Sequence, residues 1–437
     1  MQENLFKEIQ RFAFPLMTNN FLQLIINQLI LFLAVNQSIK NLAGITTIQS
    51  LLYALGGILG VVALAFNIEG GQALGKSDEK GFLQLIKSSL IVNMLIGIIF
   101  ALITLVFGRL FLSITYAFDG KMLETATVYL LIQSPYIFLT LMMFLSANLI
   151  KIQNKTNDIL VISLVSTGLE ILLNLILVRM IHMGIIGASI ASIFALLVMV
   201  FLQFWVVRHK LAQAWDERAT KIKQLLRKSV PLGGQEILEG VIFTIFFEAL
   251  IARLGVTTLA IYGLCAQALN IIKMPTYIYE NAVTIFGSKA YGEADFSKIF
   301  RIIKIATVSS AGFYFIFSGL ILWNAKRFAA LFSSSEIVAR FPMYLLIALV
   351  CSMFFISYEI FKGILQAMNL EKFVLRNSFV INLVMFLVML ACKLTGVTSF
   401  VLLFTIYGFN LLVLSLILFR KLMKEKINTS FYTDKSY

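Results

Sequence analysis

The sequence predicts an all-α integral membrane protein of twelve transmembrane helices, arranged as two six-helix lobes related by a pseudo-two-fold axis along the membrane normal. Three observations carry this. Hydrophobic residues fill 59% of the 437 positions and charged residues only 13%, a balance far from that of soluble domains. Apolar runs of about 20 residues, the length that crosses a hydrocarbon core about 30 Å thick, recur from one end to the other. The second half of the chain also repeats the first at a nearly fixed offset.

Taken in order, the apolar runs fall at 12–36, 42–68, 83–107, 123–148, 157–181, 185–207, 229–254, 257–287, 299–323, 336–366, 371–395 and 398–420. Residues 1–11 are polar and amphipathic, with neither the apolar region nor the small-residue cleavage site of a signal peptide, so the first run is expected to remain as a helix. Lys and Arg test the count: with the N-terminus inside, the inner connections and their flanks hold 26 and the outer ones 9, leaving Lys273 alone deep in a run. By the positive-inside rule both termini are then cytoplasmic, in a plasma (cell inner) membrane. The net charge of +14 is read as the cytoplasmic ends of spans facing anionic membrane lipid, and not as a nucleic-acid surface. The most basic connection, 208–228, carries seven positive charges and His209. It reads as a solvated helical linker, dividing the chain into an N-lobe (1–207), the linker (208–228), a C-lobe (229–420) and a tail (421–437).

The repeat is specific in register. Phe14-Pro15 corresponds to Val230-Pro231 at an offset of 216; Leu42-Ala43 to Leu259-Ala260, and the segment Ala73 to Asp78 to Ala290 to Asp295, at 217. Tyr129-Leu130-Leu131-Ile132 recurs unchanged as Tyr344 to Ile347, and Asn154 falls opposite Asn369, both at 215. Six spans per repeat is an even number, so the halves share orientation and a substrate path is expected between them.

The stretch Val230-Pro231-Leu232-Gly233-Gly234-Gln235-Glu236-Ile237-Leu238-Glu239 opens the seventh run with two carboxylates. Nine residues at 1.5 Å each put Glu239 roughly 14 Å into the hydrocarbon, near its middle. A carboxylate there costs about 2.5–3.5 kcal/mol and is kept protonated, paired or beside water for a purpose. Other deep charges are Lys273 and Glu280, seven residues apart on one face of the eighth run with Pro275 between them, where a broken helix is expected. Lys273 is expected to neutralise Glu239 or Glu280, either as a fixed salt bridge or in one state of a cycle. Glu170 lies one turn before Asn174 in the fifth run. Glu248 reads as an interfacial partner of Arg253, and Glu236 as solvated. In the first run Asn20, Gln23 and Asn27 share a helix face with Asn19 and Gln28 nearby, which serves either as a cavity lining or as an amide clasp between helices. Tyr277, Tyr279, Tyr262, Phe243, Phe247, Met142 and Met143 offer a soft apolar wall for organic cations.

The proline of the first run, Gly71-Gln72-Ala73-Leu74-Gly75 after the second, Gly187-Ala188-Ser189-Ile190-Ala191 in the sixth, and Pro231 with Gln235 and Glu239 in the seventh together resemble the multidrug and toxic compound extrusion (MATE) family. The resemblance implies two six-helix lobes, export coupled to entry of H⁺ or Na⁺, and alternating access by rocking of the lobes. Carried over residue by residue, it makes Glu239 the C-lobe coupling carboxylate and a possible Na⁺ ligand. The sequence departs from the family at three places. The N-lobe Asp of many members falls at Ile30, its fifth-span partner at Val178, and the tenth-span Asp near Phe355. Glu359, one turn further along, reads either as a displaced substitute for that Asp or as an ion pair with Lys362 near the cytoplasmic end. Glu170 and Asn174 are the residues that would rebuild an N-lobe site.

The reading is therefore a monomeric secondary exporter of organic, cationic or amphipathic small molecules, driven by H⁺ or Na⁺ and needing no other cofactor. The alternative is a lipid-linked oligosaccharide flippase of the same wider superfamily, for which Lys273 and Arg179 would hold phosphate. An enzyme is disfavoured: His182 and His209 lie at run ends with no nucleophile or acid–base partner, and no Gly-rich phosphate loop is present. Cys265, Cys351 and Cys392 sit singly in apolar runs and indicate neither disulfide nor structural metal.

Overall fold

The computed structural model describes residues 2–34, 39–330 and 335–433, with side chains described except at 2–3, 25, 27–47, 335–336 and 428–433. Among the described residues every regular element is helical. Ten stretches are long and apolar enough to cross a membrane: Ile48–Gly75, Glu79–Thr115, Gly120–Ile152, Thr156–Met180, Gly184–Trp215, Val256–Gly292, Phe296–Trp323, Ile337–Ala367, Glu371–Leu394 and Phe400–Ile427. The other two apolar runs are also helical. The first is Gln2–Ala34, and the seventh is three consecutive segments, Ile222–Glu236, Ile237–Phe243 and Thr244–Ala252.

Helix boundaries correct the sequence reading in several places. The first helix starts at Gln2 and the seventh at Ile222, so Pro15 and Pro231 lie inside helices instead of opening them. Val256–Gly292 runs unbroken through Pro275. The residues from Ile272 to Thr276 are buried in the packing of this helix on its neighbours, which holds the backbone in place although the proline removes one N–H. The breaks occur elsewhere. The fourth span divides into Gly120–Ile132 and Tyr136–Ile152, and the tenth into Ser335–Ser352 and Phe355–Ala367, with Met353 and Phe354 in the turn between. The seventh contains a turn of π-helix, Ile237–Phe243.

The chain forms two compact units: residues 10–229, and residues 230–437 together with 1–9. In the first unit Ile48, Leu52, Tyr129, Leu130, Ile137 and Leu141 pack into one cluster. Lipid tails are as apolar as leucine, so helix association here depends on close packing and hydrogen bonds more than on exclusion of water. Gly97 illustrates this, since a Cβ there would come within 2.7 Å of Phe138 Cα. The outer face of Glu79–Thr115 instead exposes Ile103, Val106, Phe107, Leu110 and Ile114, a surface suited to lipid. In the second unit Phe247, Leu264, Cys265, Leu345, Phe400 and Phe404 form the corresponding core. All three cysteines are free.

The internal repeat recurs in the turns. Asp78 accepts a hydrogen bond from Gly81 N, and Asp295, 217 residues later, accepts one from Lys298 N, both at 2.8 Å. Ser77 and Ala294 adopt φ of 57°, and Asn154 and Asn369 φ of 57° and 63°, a left-handed conformation uncommon for residues with a side chain. The linker differs from the solvated helix expected of it. The sixth helix continues to Trp215 and only residues 216–221 are irregular. This stretch and the helix end before it are tied to the third span: Lys87 Nζ donates to Trp215 O, Lys221 N to Ser88 Oγ at 3.1 Å, and Lys210 pairs with Glu79 at 2.5 Å. Just beyond them, Glu69 takes Gln224 Nε2 at 2.5 Å and Lys228 Nζ at 2.9 Å.

Candidate functional site

A turn of π-helix admits one extra residue per turn and shifts side chains off the ordinary helical face; such turns are frequent at functional sites. In the seventh span this turn begins at Ile237 and carries Glu239, while Gln235 lies in the α-helical turn before it. Gln235 is buried at 2% exposure and its Nε2 reaches Glu239 Oε1 at 2.5 Å, Tyr358 OH at 3.0 Å and Ser378 Oγ at 2.9 Å. Tyr358 OH donates to Glu239 Oε1 and lies 3.2 Å from Ser378 Oγ. Three helices thus converge on one carboxylate: the seventh, the second half of the tenth and the eleventh.

The tenth helix supplies the charge. Lys362 Nζ lies 3.0 and 2.8 Å from the two oxygens of Glu359 and 3.5 Å from Glu239 Oε2. Glu359 is 4% exposed and Lys362 8%. Glu359 thus pairs with Lys362, whose ammonium also faces Glu239. The pair is buried inside the unit. Glu280, on the eighth helix, accepts from Thr284 Oγ1 at 3.0 Å. It lies against the tenth helix, where a Cβ on Gly363 would stand 2.8 Å from its Oε1.

In this structure Lys273 does not form the fixed salt bridge with Glu239 or Glu280. Among the described residues it forms no ion pair; its Nζ donates to Tyr407 OH at 3.2 Å and lies over the rings of Phe355 at 4.5 Å and Tyr407 at 5.4 Å. The reason is local. Lys362 already stands between Glu239 and Glu359, while seven residues, about 10 Å of helix rise, separate Lys273 from Glu280. Phe355, where the family pattern has an acid, gives Lys273 a π face in place of a charge.

The expected aromatic wall is also redistributed. Phe243, Phe247 and Tyr262 do cluster, with Phe404 and Tyr407. Tyr279 instead stacks on Phe313, Tyr277 meets Phe355 edge-on, and Met142 is buried in the first unit. Glu236, Glu248 and Arg179 are exposed, and Glu248 makes no ion pair with Arg253.

In the first unit Gln23 Nε2 donates to Ser163 Oγ at 2.9 Å and Thr167 Oγ1 at 2.8 Å on the fifth span, so this residue acts as a clasp between helices. Asn20 is exposed; the side chains of Asn27, Gln28 and Ile30 lie outside those described. Asn174 Nδ2 turns to the Glu170 backbone carbonyl at 2.9 Å, one turn back on its own helix, and not to the carboxylate. The Glu170 side chain is half-buried without a hydrogen bond or ion pair among the described residues.

Sequence reading missed Tyr358, Ser378 and Tyr407. A hydroxyl in an apolar helix carries no periodic signal, and only the fold brings Tyr358 to the Glu239 carboxylate, Ser378 to Gln235 and Tyr407 to the Lys273 ammonium. Lys362 had a signal, a Glu–Lys pair three residues apart within an apolar run.

The sequence pattern of the MatE family matches residues 15–176 and again residues 231–391. The two matches begin 216 residues apart, the offset that separates Pro15 from Pro231. No individually curated protein matched the chain. Among solved structures, a multidrug resistance MATE family transporter of the MOP superfamily in an outward-facing conformation is similar, with a TM-score of 0.83 and 16% identity over 98% of this chain and 97% of that one. A MOP superfamily transporter from Pyrococcus furiosus, described as having a binding pocket of reversed polarity that suggests a different function, gives the same values. A MATE structure in a bent conformation reaches 0.84 at 16% identity, over 98% of this chain and 99% of that one. At such identity these likenesses establish the fold, twelve helices in two lobes. The double match of the family pattern goes further, and the chain belongs to the MatE family of membrane transporters.

Proposed function

We propose that the protein is a secondary exporter of organic small molecules, cationic or amphipathic, driven by inward movement of H⁺ or Na⁺ and alternating between inward- and outward-open arrangements of its lobes. It acts as a monomer in the plasma (cell inner) membrane with both termini cytoplasmic and needs no cofactor beyond the coupling ion. The observation that carries this is Glu239: a half-buried carboxylate on a π-helical turn, held by Gln235, Tyr358 and Lys362. Neutralising it would loosen its hold on a bound organic cation and release the seventh helix from the tenth and eleventh. One charge moving through 100 mV supplies about 2.3 kcal/mol, which sustains a concentration ratio of roughly fifty. Uptake of a lipophilic cation into inverted vesicles tests the reading. Wild-type protein should accumulate it on imposition of an ion gradient, and Glu239→Gln should not; equal accumulation by both would remove Glu239 from the mechanism.

One observation favours a second reading. Lys273 is a buried ammonium with aromatic and hydroxyl partners but no carboxylate, an arrangement that can receive an anionic headgroup, as in a lipid-linked oligosaccharide flippase. The transporter from Pyrococcus furiosus, with its pocket of reversed polarity, is a precedent for such a departure. Offering a lipid-linked sugar phosphate and an organic cation to the same proteoliposomes separates the two: Lys273→Ala abolishes transport of the anion under the flippase reading and spares the cation under the exporter reading.

A further inference from the structure

We infer that Lys362 is the resident cation of the Glu239 site, standing between two carboxylates where a metal ion would otherwise bind, and that it makes the site refuse Na⁺. The inference rests on the reading of Glu239 as the coupling carboxylate and narrows its ion.

The donor set carries the argument. A hard cation is held by several oxygens whose lone pairs point at it. Here every oxygen of both carboxylates already faces a hydrogen. Glu359 turns both of its oxygens to Lys362 Nζ, at 3.0 and 2.8 Å. Glu239 Oε2 faces the same ammonium at 3.5 Å, and Glu239 Oε1 accepts from Gln235 Nε2 at 2.5 Å and from Tyr358 OH. One acceptor, Gln235 Oε1, is buried without a donor, and a single neutral oxygen is too few to hold Na⁺. Among the described residues no group of three or more His, Cys, Asp or Glu is placed to hold a metal.

The ammonium is fixed in this position. Its side chain is 10% exposed, and Nζ lies 5.4 Å from the ring of Tyr358. Facing it are Glu236 and Glu239 from the seventh helix and Tyr358 and Glu359 from its own helix, while Glu280 of the eighth helix faces Glu359. A second cation entering beside Lys362 would meet like charge at close range in a medium of low dielectric, where such repulsion is strong. The two carboxylates in contact with the ammonium, Glu239 and Glu359, still leave a deficit of one positive charge at the site. A proton or the ammonium of an organic substrate can fill it, because neither needs a cage of oxygens.

The test reads Na⁺ binding directly, by titration calorimetry and ²²Na⁺ scintillation proximity on purified protein, so it is independent of whether export occurs. Wild-type protein is expected to show no saturable binding. Lys362→Met keeps the length of the side chain, removes the charge and frees three carboxylate oxygens beside Gln235 Oε1. It is expected to gain saturable Na⁺ binding at least tenfold tighter than any seen in wild type, and a further Glu239→Gln should erase the gain. Lys362→Arg, which keeps the charge, should stay silent. Saturable binding to wild-type protein that Glu239→Gln removes would overturn the inference. So would a folded Lys362→Met protein, judged by its melting curve and monodisperse elution, that binds no Na⁺. Should that variant fail to fold, the wild-type measurement decides alone. Failure of the exporter reading shows separately, as undiminished transport by Glu239→Gln.

Discussion

A carboxylate inside an apolar helix costs about 2.5–3.5 kcal/mol, and Glu239 offsets that cost with partners from two other helices: Tyr358 and Lys362 from the tenth directly, and Ser378 of the eleventh through Gln235. Replacing Glu239 by Gln keeps its shape and one hydrogen-bond acceptor, so expression and melting temperature should stay near wild type while gradient-driven export is lost. Lys362 behaves differently, because removing it leaves the buried Glu359 and the half-buried Glu239 without their shared counter-charge. Breaking a buried pair typically costs about 3–5 kcal/mol. Lys362→Ala should lower the free energy of unfolding in detergent by that order, and Glu359→Gln added to it should recover part of the loss, a coupling expected of groups in contact. Lys273 and Glu280 share no bond, so Lys273→Ala and Glu280→Gln should be additive to within about 0.5 kcal/mol. Strong coupling in that second cycle would reinstate the internal pair that the sequence suggested. The contrast marks what a sequence conveys at this scale. Glu239 stands out because a charge in an apolar run is rare, but its partner cannot be read from spacing. Lys273 is the deeper of the two lysines by sequence, yet packing brings Lys362 to the carboxylate.

Helices as elements were legible because crossing a bilayer requires a length of apolar residues that can be counted. Their irregularities were not. A π turn at Ile237–Phe243 and a break at Met353–Phe354 involve no Pro or run of polar residues, and Pro275, the residue that suggested a break, sits in a continuous helix. Hydropathy records what a helix touches and says little about which carbonyl each N–H finds. The glycines separate the two kinds of position. A Cβ on Gly408 would approach the Cys351 carbonyl oxygen to 2.6 Å and its Cα to 3.0 Å, both backbone atoms that cannot rotate away. Gly408→Ala should therefore force the twelfth helix off the tenth and cost about 1–3 kcal/mol. Gly240, within the π turn, has nothing within 4 Å of an added Cβ. Gly240→Ala should be neutral or stabilising by about 0.4–1 kcal/mol, through the lost freedom of the unfolded chain. Thermal unfolding of the two variants in one detergent checks the pair, and an equal cost for both would mean that the close crossing of the tenth and twelfth helices is unimportant.

At the scale of the whole chain the repeat is the strongest signal, since it appears three times over: in residue identities at offsets of 215 to 217, in paired turns with the same left-handed residues and Asp caps, and in two matches to one family pattern. Duplicated six-helix halves must share orientation, which makes topology predictable from charge. The connection holding residues 216–221 follows six spans and lies with the basic segments; the turn at residues 116–119, between the third and fourth spans, lies on the side that has few Lys and Arg. Asp216 and Asp119 are both exposed. In a background in which Cys265, Cys351 and Cys392 are replaced by Ala or Ser, Asp119→Cys should react with a membrane-impermeant maleimide added to whole cells, and Asp216→Cys only after the membrane is opened. Labelling of both from outside would contradict the odd number of spans, the fourth to the sixth, that separates them. Reversed labelling would keep the fold and invert its orientation, placing the basic linker outside against the positive-inside rule.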